Sequence, residues 1–194
     1  MKSIFLSASV PFNNRGTYYV KADAQLILNA VREFVLTFTP KYQIVFGGDP
    51  ALTRIILSIF EDLGIDPANS IVLYQSSFFD GSYPEENRNF NNVIITNGNP
   101  GNHNESLLKM RRQMLSRKDL VGAVFIGGME AVETEHQIFK YFHPNTEVMS
   151  VISPGGGALN LALDHGYATA EGLLDTDFEL MFRNYLFRIS EEQI

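Results

Sequence analysis

Short apolar runs alternate with stretches of helical period from one end of this chain to the other, and few folds accept that order. Ile4–Leu6 is apolar and ends in a small polar turn, Ser7-Ala8-Ser9. A helical stretch near Ala22–Phe38 then places Ile27, Val31, Phe34 and Phe38 on one face. Gln43–Phe46 reads as a second strand, closed by Gly47-Gly48-Asp49-Pro50. In the next segment Leu52, Ile55, Ile56, Ile59, Phe60 and Leu63 trace one apolar stripe, and Gly64 stops it. Ile71–Tyr74 is wholly apolar, as strands covered on both faces are.

Beyond it, Gln75 to Asn92 breaks into Ser, Asp, Gly, Pro and Asn interleaved with Phe78, Phe79, Tyr83 and Phe90. Val93–Thr96, Leu120–Ile126 and Val148–Ile152 read as further strands. Helices are expected at about Glu105–Arg117, Ala131–Phe142 and Ala158–His165. A last one, about Asp177–Arg188, carries Phe178, Met181, Phe182, Tyr185 and Leu186 on one side, to pack on the domain or form an interface. Strand–helix alternation of this kind predicts a mostly parallel sheet with helices on both faces. We expect one α/β Rossmann-like domain spanning residues 1–194.

Composition narrows the function. The 15 Lys+Arg against 22 Asp+Glu leave a formal charge of −7, without the basic face that nucleic acid or an anionic membrane requires. The absence of Cys removes disulfides, thiolate catalysis and thiolate zinc sites. The four His (His103, His136, His143 and His165) lack the short spacing of a metal-binding helix, so no metal site is expected. His136 and His143 read as helix-surface residues. The first apolar run meets Pro11 too early for a signal peptide, and none approaches the roughly 18 apolar residues of a membrane span. The expectation is a soluble, cytoplasmic protein.

Open parallel sheets hold ligands beyond the carboxyl ends of their strands. Four junctions there carry small or glycine residues: Ser7 to Ser9, Gly47-Gly48-Asp49, Gly127-Gly128-Met129-Glu130, and Gly155-Gly156-Gly157 after Pro154. Glycine lets backbone N–H groups approach a ligand, and the following helix N-terminus favours phosphate. Each turn read alone needs no ligand, whereas together they predict a shared phosphate- or ribose-binding crevice. Neither Gly-x-Gly-x-x-Gly after the first strand nor a phosphate-loop motif occurs, which argues against a standard NAD dehydrogenase or a phosphate-loop ATPase.

The stretch Met110-Arg111-Arg112-Gln113-Met114-Leu115, followed by Gly127-Gly128-Met129-Glu130-Ala131-Val132-Glu133-Thr134-Glu135, resembles the Lonely Guy phosphoribohydrolases. Arg111 takes the place of that family's Arg, Arg112 its Lys and Leu115 its Met; with one residue inserted after Gly128, Glu135 takes the place of its Glu. Ile126 replaces the family's Pro, Ala131 a Gly, and Val132 the Thr whose hydroxyl meets phosphate. The combination of glycine junctions looks nearer to the ligand-sensing branch of the wider SLOG superfamily, over roughly Ser3 to His165. That resemblance implies a nucleotide-derived ligand, ADP-ribose or NAD-related, rather than a bound cofactor. It also implies homodimers or higher homo-oligomers, and a role in bacterial anti-phage signalling with an effector or TIR-type partner.

Bland readings stand beside these. Arg111 and Glu135 could read ribose and phosphate, act as catalytic residues of an N-glycosidic hydrolase, or form only a surface ion pair. Asp49 before Pro50 fits a helix cap as well as a ribose contact. Ser7 and Ser9 could hold phosphate or close a turn, and Glu130, Glu133 and Glu135 suit any helix start. Arg15, Tyr18 and Tyr19 could close over a base or lie on a surface loop. Three functions follow: a nucleotide-derived-ligand sensor, a nucleoside 5′-monophosphate phosphoribohydrolase, and an oligomerisation module whose glycines only make turns.

Overall fold

The computed structural model describes residues 1–11 and 17–191. Side-chain alternation along β1 (Ser3–Ser9) sends Ile4, Leu6 and Ala8 into one core and Phe5 into another, so the sheet must be covered twice. The other strands are β2 (Gln43–Gly47), β3 (Ile71–Ser76), β4 (Asn92–Thr96), β5 (Leu120–Gly127) and β6 (Val148–Val151). They form one sheet in the order β4-β3-β2-β1-β5-β6, with every pairing parallel. The expected α/β Rossmann-like fold is therefore present.

The first core lies under α1 (Ala24–Phe38), α2 (Pro50–Leu63) and α6 (Phe178–Glu191). The second lies under α3 (His103–Leu115), α4 (Ala131–Phe142) and α5 (Gly156–Asp164). Local chemistry sets the helix starts. Asp23, Asp49 and Asn102 accept hydrogen bonds from the backbone N–H of Leu26, Leu52 and Glu105 at 3.0, 2.8 and 3.0 Å. Each such cap is worth about 1 kcal/mol. The predicted stop at Gly64 is a left-handed C-cap with φ 64°.

Two segments gain definition. The stretch after β3 holds short 3-10 turns at Ser77–Phe79 and Glu85–Asn89, and its Phe90 packs edge-on against Phe46 in the first core. The final helix packs on the domain. Phe182 meets Phe34 and Phe38 of α1 with ring centroids 5.7 and 5.9 Å apart. The buried Tyr185 Oη accepts from Ala123 N at 3.1 Å and donates to Glu147 O at 2.8 Å, fastening α6 to the β5–β6 side. Among the described residues no helix is long and apolar enough to cross a membrane.

Candidate functional site

Strand order places the site. From β1 the chain steps outward through β2, β3 and β4, then returns to the other side of β1 for β5 and β6. Loops leaving the carboxyl ends of β1 and β5 must diverge there, and a crevice of about 350 Å³ opens between them. That volume lies at the lower end of small-molecule sites, roughly 300–1,000 Å³.

Ser7 and Ser9 line the crevice from the end of β1, and Gly47, Gly48 and Asp49 from the end of β2. Gly128, Met129 and Glu130 approach from β5, where Gly128 N donates to Ser9 O at 2.7 Å. The N-termini of α2 and α4 therefore both end at this crevice. Asp49 Oδ1 accepts from Leu52 N, so the capping role read from sequence is present on a residue that also lines the site.

Arg111 and Glu135 meet over this floor. Arg111, on α3, donates from Nε to Oε1 of Glu135, on α4, at 3.1 Å. Their side chains are only 19% and 12% exposed, so this is not the open surface pair of the bland reading.

The fourth junction stands elsewhere. Gly155, Gly156, Gly157 and also Gly127 do not line the crevice, but lie behind its wall. Gly157 N donates to Gly128 O at 2.7 Å, bracing the β5 turn from below. Gly155 has φ 77°, and a Cβ there would fall 1.6 Å from the Lys21 carbonyl oxygen. Close backbone packing is what these glycines visibly provide.

Several lining residues escaped the sequence reading: Gln75, Phe79, Leu107 and Met110. β3 runs on to Ser76, beyond the Tyr74 expected, and this makes Gln75 a strand-end residue. It is 3% exposed, its Nε2 reaches Gly48 O at 3.5 Å, and a Cβ on Gly48 would lie 2.0 Å from it. Applying the strand-end rule to β3 as well was the available signal. Tyr18 and Tyr19 do not line the crevice, and Arg15 lies outside the described residues.

The histidines require a correction. His136 is not a helix-surface residue: it is 3% exposed, with Nε2 3.2 Å from Tyr167 Oη. Burial, then the nearby His165 and Lys140, push its pKa down to about 4 against the pull of Glu133. His143 is half-buried, its Nε2 2.8 Å from Leu115 O. Two of the four also meet in space, the His136 and His165 rings having centroids 4.4 Å apart. Burial alone would raise the Glu133 pKa, but hydrogen bonds from Gln137 and His165 hold it below the ordinary value.

A parallel sheet with a crevice at its strand-order reversal defines the Rossmann-like α/β class. Within that class the chain belongs to the SLOG cluster3 family, whose model matches residues 17–186. It is similar to the X-ray structure of TM1055, a structural genomics target, with TM-score 0.54 and 12% identity over 89% of this chain and 84% of that one. At that identity the likeness is one of fold. No curated protein sequence matches the chain. Membership of the SLOG group supports a nucleotide-related function at the level of the superfamily.

Proposed function

We propose that the crevice binds a nucleotide-derived ligand of the ADP-ribose or NAD-related kind, and that the chain senses this ligand rather than turning it over. The observation that carries the reading is the Arg111–Glu135 pair standing over two helix N-termini and three small-residue turns. Arg111 gives its Nε to Glu135 and lines the crevice, and the rest of its fork-shaped donor would serve the ligand. Phosphate would rest on the N-termini of α2 and α4, with backbone N–H groups adding to Arg111. Glu135 and Asp49 suit ribose hydroxyls, and Phe79 offers a ring for a base. The volume of about 350 Å³ suits one nucleotide unit, with the remainder of a larger ligand over the rim. Val132, lining the site where the Lonely Guy family has Thr, lacks the phosphate-facing hydroxyl; this favours sensing over hydrolysis.

In this reading ligand binding is reported to an effector, in the anti-phage signalling that the resemblance implies. The implied homodimer would cover exposed apolar side chains such as Tyr141 and Phe142, and light scattering on the full chain tests it. Thermal melts with AMP, ADP-ribose and NAD test the central claim. A ligand at 100 times its Kd should add about 2.7 kcal/mol of stability. No shift with any of them removes the sensor reading, and release of free base replaces it with the phosphoribohydrolase.

A further inference from the structure

Glu133, His136 and His165 stand apart from the crevice, on the seam where α4 packs against α5. Glu133 and His136 are three residues apart on α4, so their side chains leave the same face. His165 is the C-cap residue of α5. One donor atom from each of the three lies within 4.8 Å of the others. His165 Nε2 is 3.2 and 3.3 Å from the two oxygens of Glu133.

A second observation concerns His136 itself. It is almost wholly buried, and its Nδ1 has no hydrogen-bond partner among the described residues. Its other nitrogen sits 3.2 Å from Tyr167 Oη. Buried polar atoms are nearly always satisfied, and one that is not calls for an explanation such as an ion. A histidine with one nitrogen held by a neighbouring polar group and the other unpaired is arranged as metal-bound histidines are.

We propose that Glu133, His136 and His165 bind a divalent first-row transition-metal ion, with Zn²⁺ as the probe. Two imidazoles and one carboxylate suit such ions, whereas Mg²⁺ and Ca²⁺ prefer all-oxygen shells. Tetrahedral Zn²⁺ with bonds of about 2.0–2.2 Å puts its ligands roughly 3.3–3.5 Å apart. The Glu133–His165 separation already meets that spacing. Both side chains are partly exposed, at 41% and 34%, and can rotate to close the rest on the fixed His136. Three protein ligands leave a position for water. The bound ion ties α4, whose N-terminus forms one crevice wall, to α5, which braces that wall.

The test uses the full chain, stripped of metal by a chelator and dialysed. Titration calorimetry with Zn²⁺ should give one site per chain, and Co²⁺ should bring up visible d–d absorption. Zn²⁺ should also raise the melting temperature. Glu133→Gln and His165→Ala, chosen because both side chains reach the surface, should each weaken Zn²⁺ binding at least tenfold and lose the Co²⁺ band. Circular dichroism checks that both variants are folded. His103→Ala, away from the cluster, should bind as the unaltered chain does. Failure of the unaltered chain to bind at micromolar Zn²⁺, or unchanged binding in either cluster variant, overturns the proposal. No nucleotide enters the experiment, so its outcome is independent of the crevice.

Discussion

Arg111 Nε and Glu135 Oε1 lie 3.1 Å apart, joining α3 to α4 across the crevice at the reversal of strand order. Desolvating two charges offsets much of their attraction, so such a pair adds little net stability. What the contact does is orient: each group holds the other at the crevice that both line. Removing one partner leaves the other half-buried and uncompensated.

Because the two groups share one interaction, their deletions should not add. Arg111→Ala and Glu135→Ala should each cost about 1–3 kcal/mol, between the values for exposed and buried pairs. The double variant should fall short of the sum by about 1 kcal/mol. Urea denaturation of the four proteins measures this. Strict additivity would mean that the pair is not formed in solution.

Gly155 and Gly64 separate conformational strain from steric collision. Both have positive φ, 77° and 64°, but a Cβ meets the Lys21 carbonyl at Gly155 and open space at Gly64. Gly64→Ala should cost about 1–2 kcal/mol, the left-handed penalty alone. Gly155→Ala adds an overpacking term of about 1–3 kcal/mol, and the backbone it strikes cannot swing aside as a side chain could. Equal melting temperatures for the two variants would refute this packing of the β6–α5 turn.

Much of this arrangement was legible from periodicity. The apolar stripe from Leu52 to Leu63, ended by Gly64, specifies a helix locally, and α2 occupies that span with its predicted cap. The turns after β1, β2 and β5 were readable because small residues ending a parallel strand have one common location. Gln75 was hidden because nothing local tells a strand end from a loop start. The Glu133–His136–His165 cluster was hidden for a different reason: His165 arrives through the packing of α5 on α4, which no spacing along the chain encodes. The glycines at 155–157 share a composition with ligand loops, yet their backbones pack on Lys21 and on the Gly127–Gly128 turn. Composition does not distinguish a ligand's approach from a neighbouring backbone's.

Acid should weaken the chain partly through Asp119. Burial alone would raise its pKa, but hydrogen bonds from Arg117 and from Ser3 Oγ at 2.6 Å hold it below the unfolded value of 3.8. With the native pKa lowered, the stabilisation is full above 3.8 and is lost as pH falls through the native value. Asp119→Asn should therefore melt below the unaltered chain near neutral pH, with the gap closing as pH drops under 3.8. Thermal melts across that range check it, and a gap that widened in acid would reverse the sign of the argument.

Sensing and turnover make different demands on Glu135. A carboxylate that activates water or stabilises an oxocarbenium-like centre contributes about 10²–10⁴-fold to rate, and Glu135→Gln would remove that while sparing affinity. A carboxylate that only orients Arg111 and accepts a ribose hydroxyl is partly replaced by the isosteric amide. For a sensor, Glu135→Gln should weaken binding less than tenfold. Arg111→Ala, which deletes a charged hydrogen bond worth about 1.5–3 kcal/mol, should weaken it by roughly 10- to 150-fold. The unaltered chain should release no free base from AMP over hours at high protein concentration. Calorimetry with the nucleotide that shifts the melt, beside chromatography for free base, reads both quantities. Base release that Glu135→Gln lowers a hundredfold would make the crevice an active site and Glu135 its catalytic carboxylate.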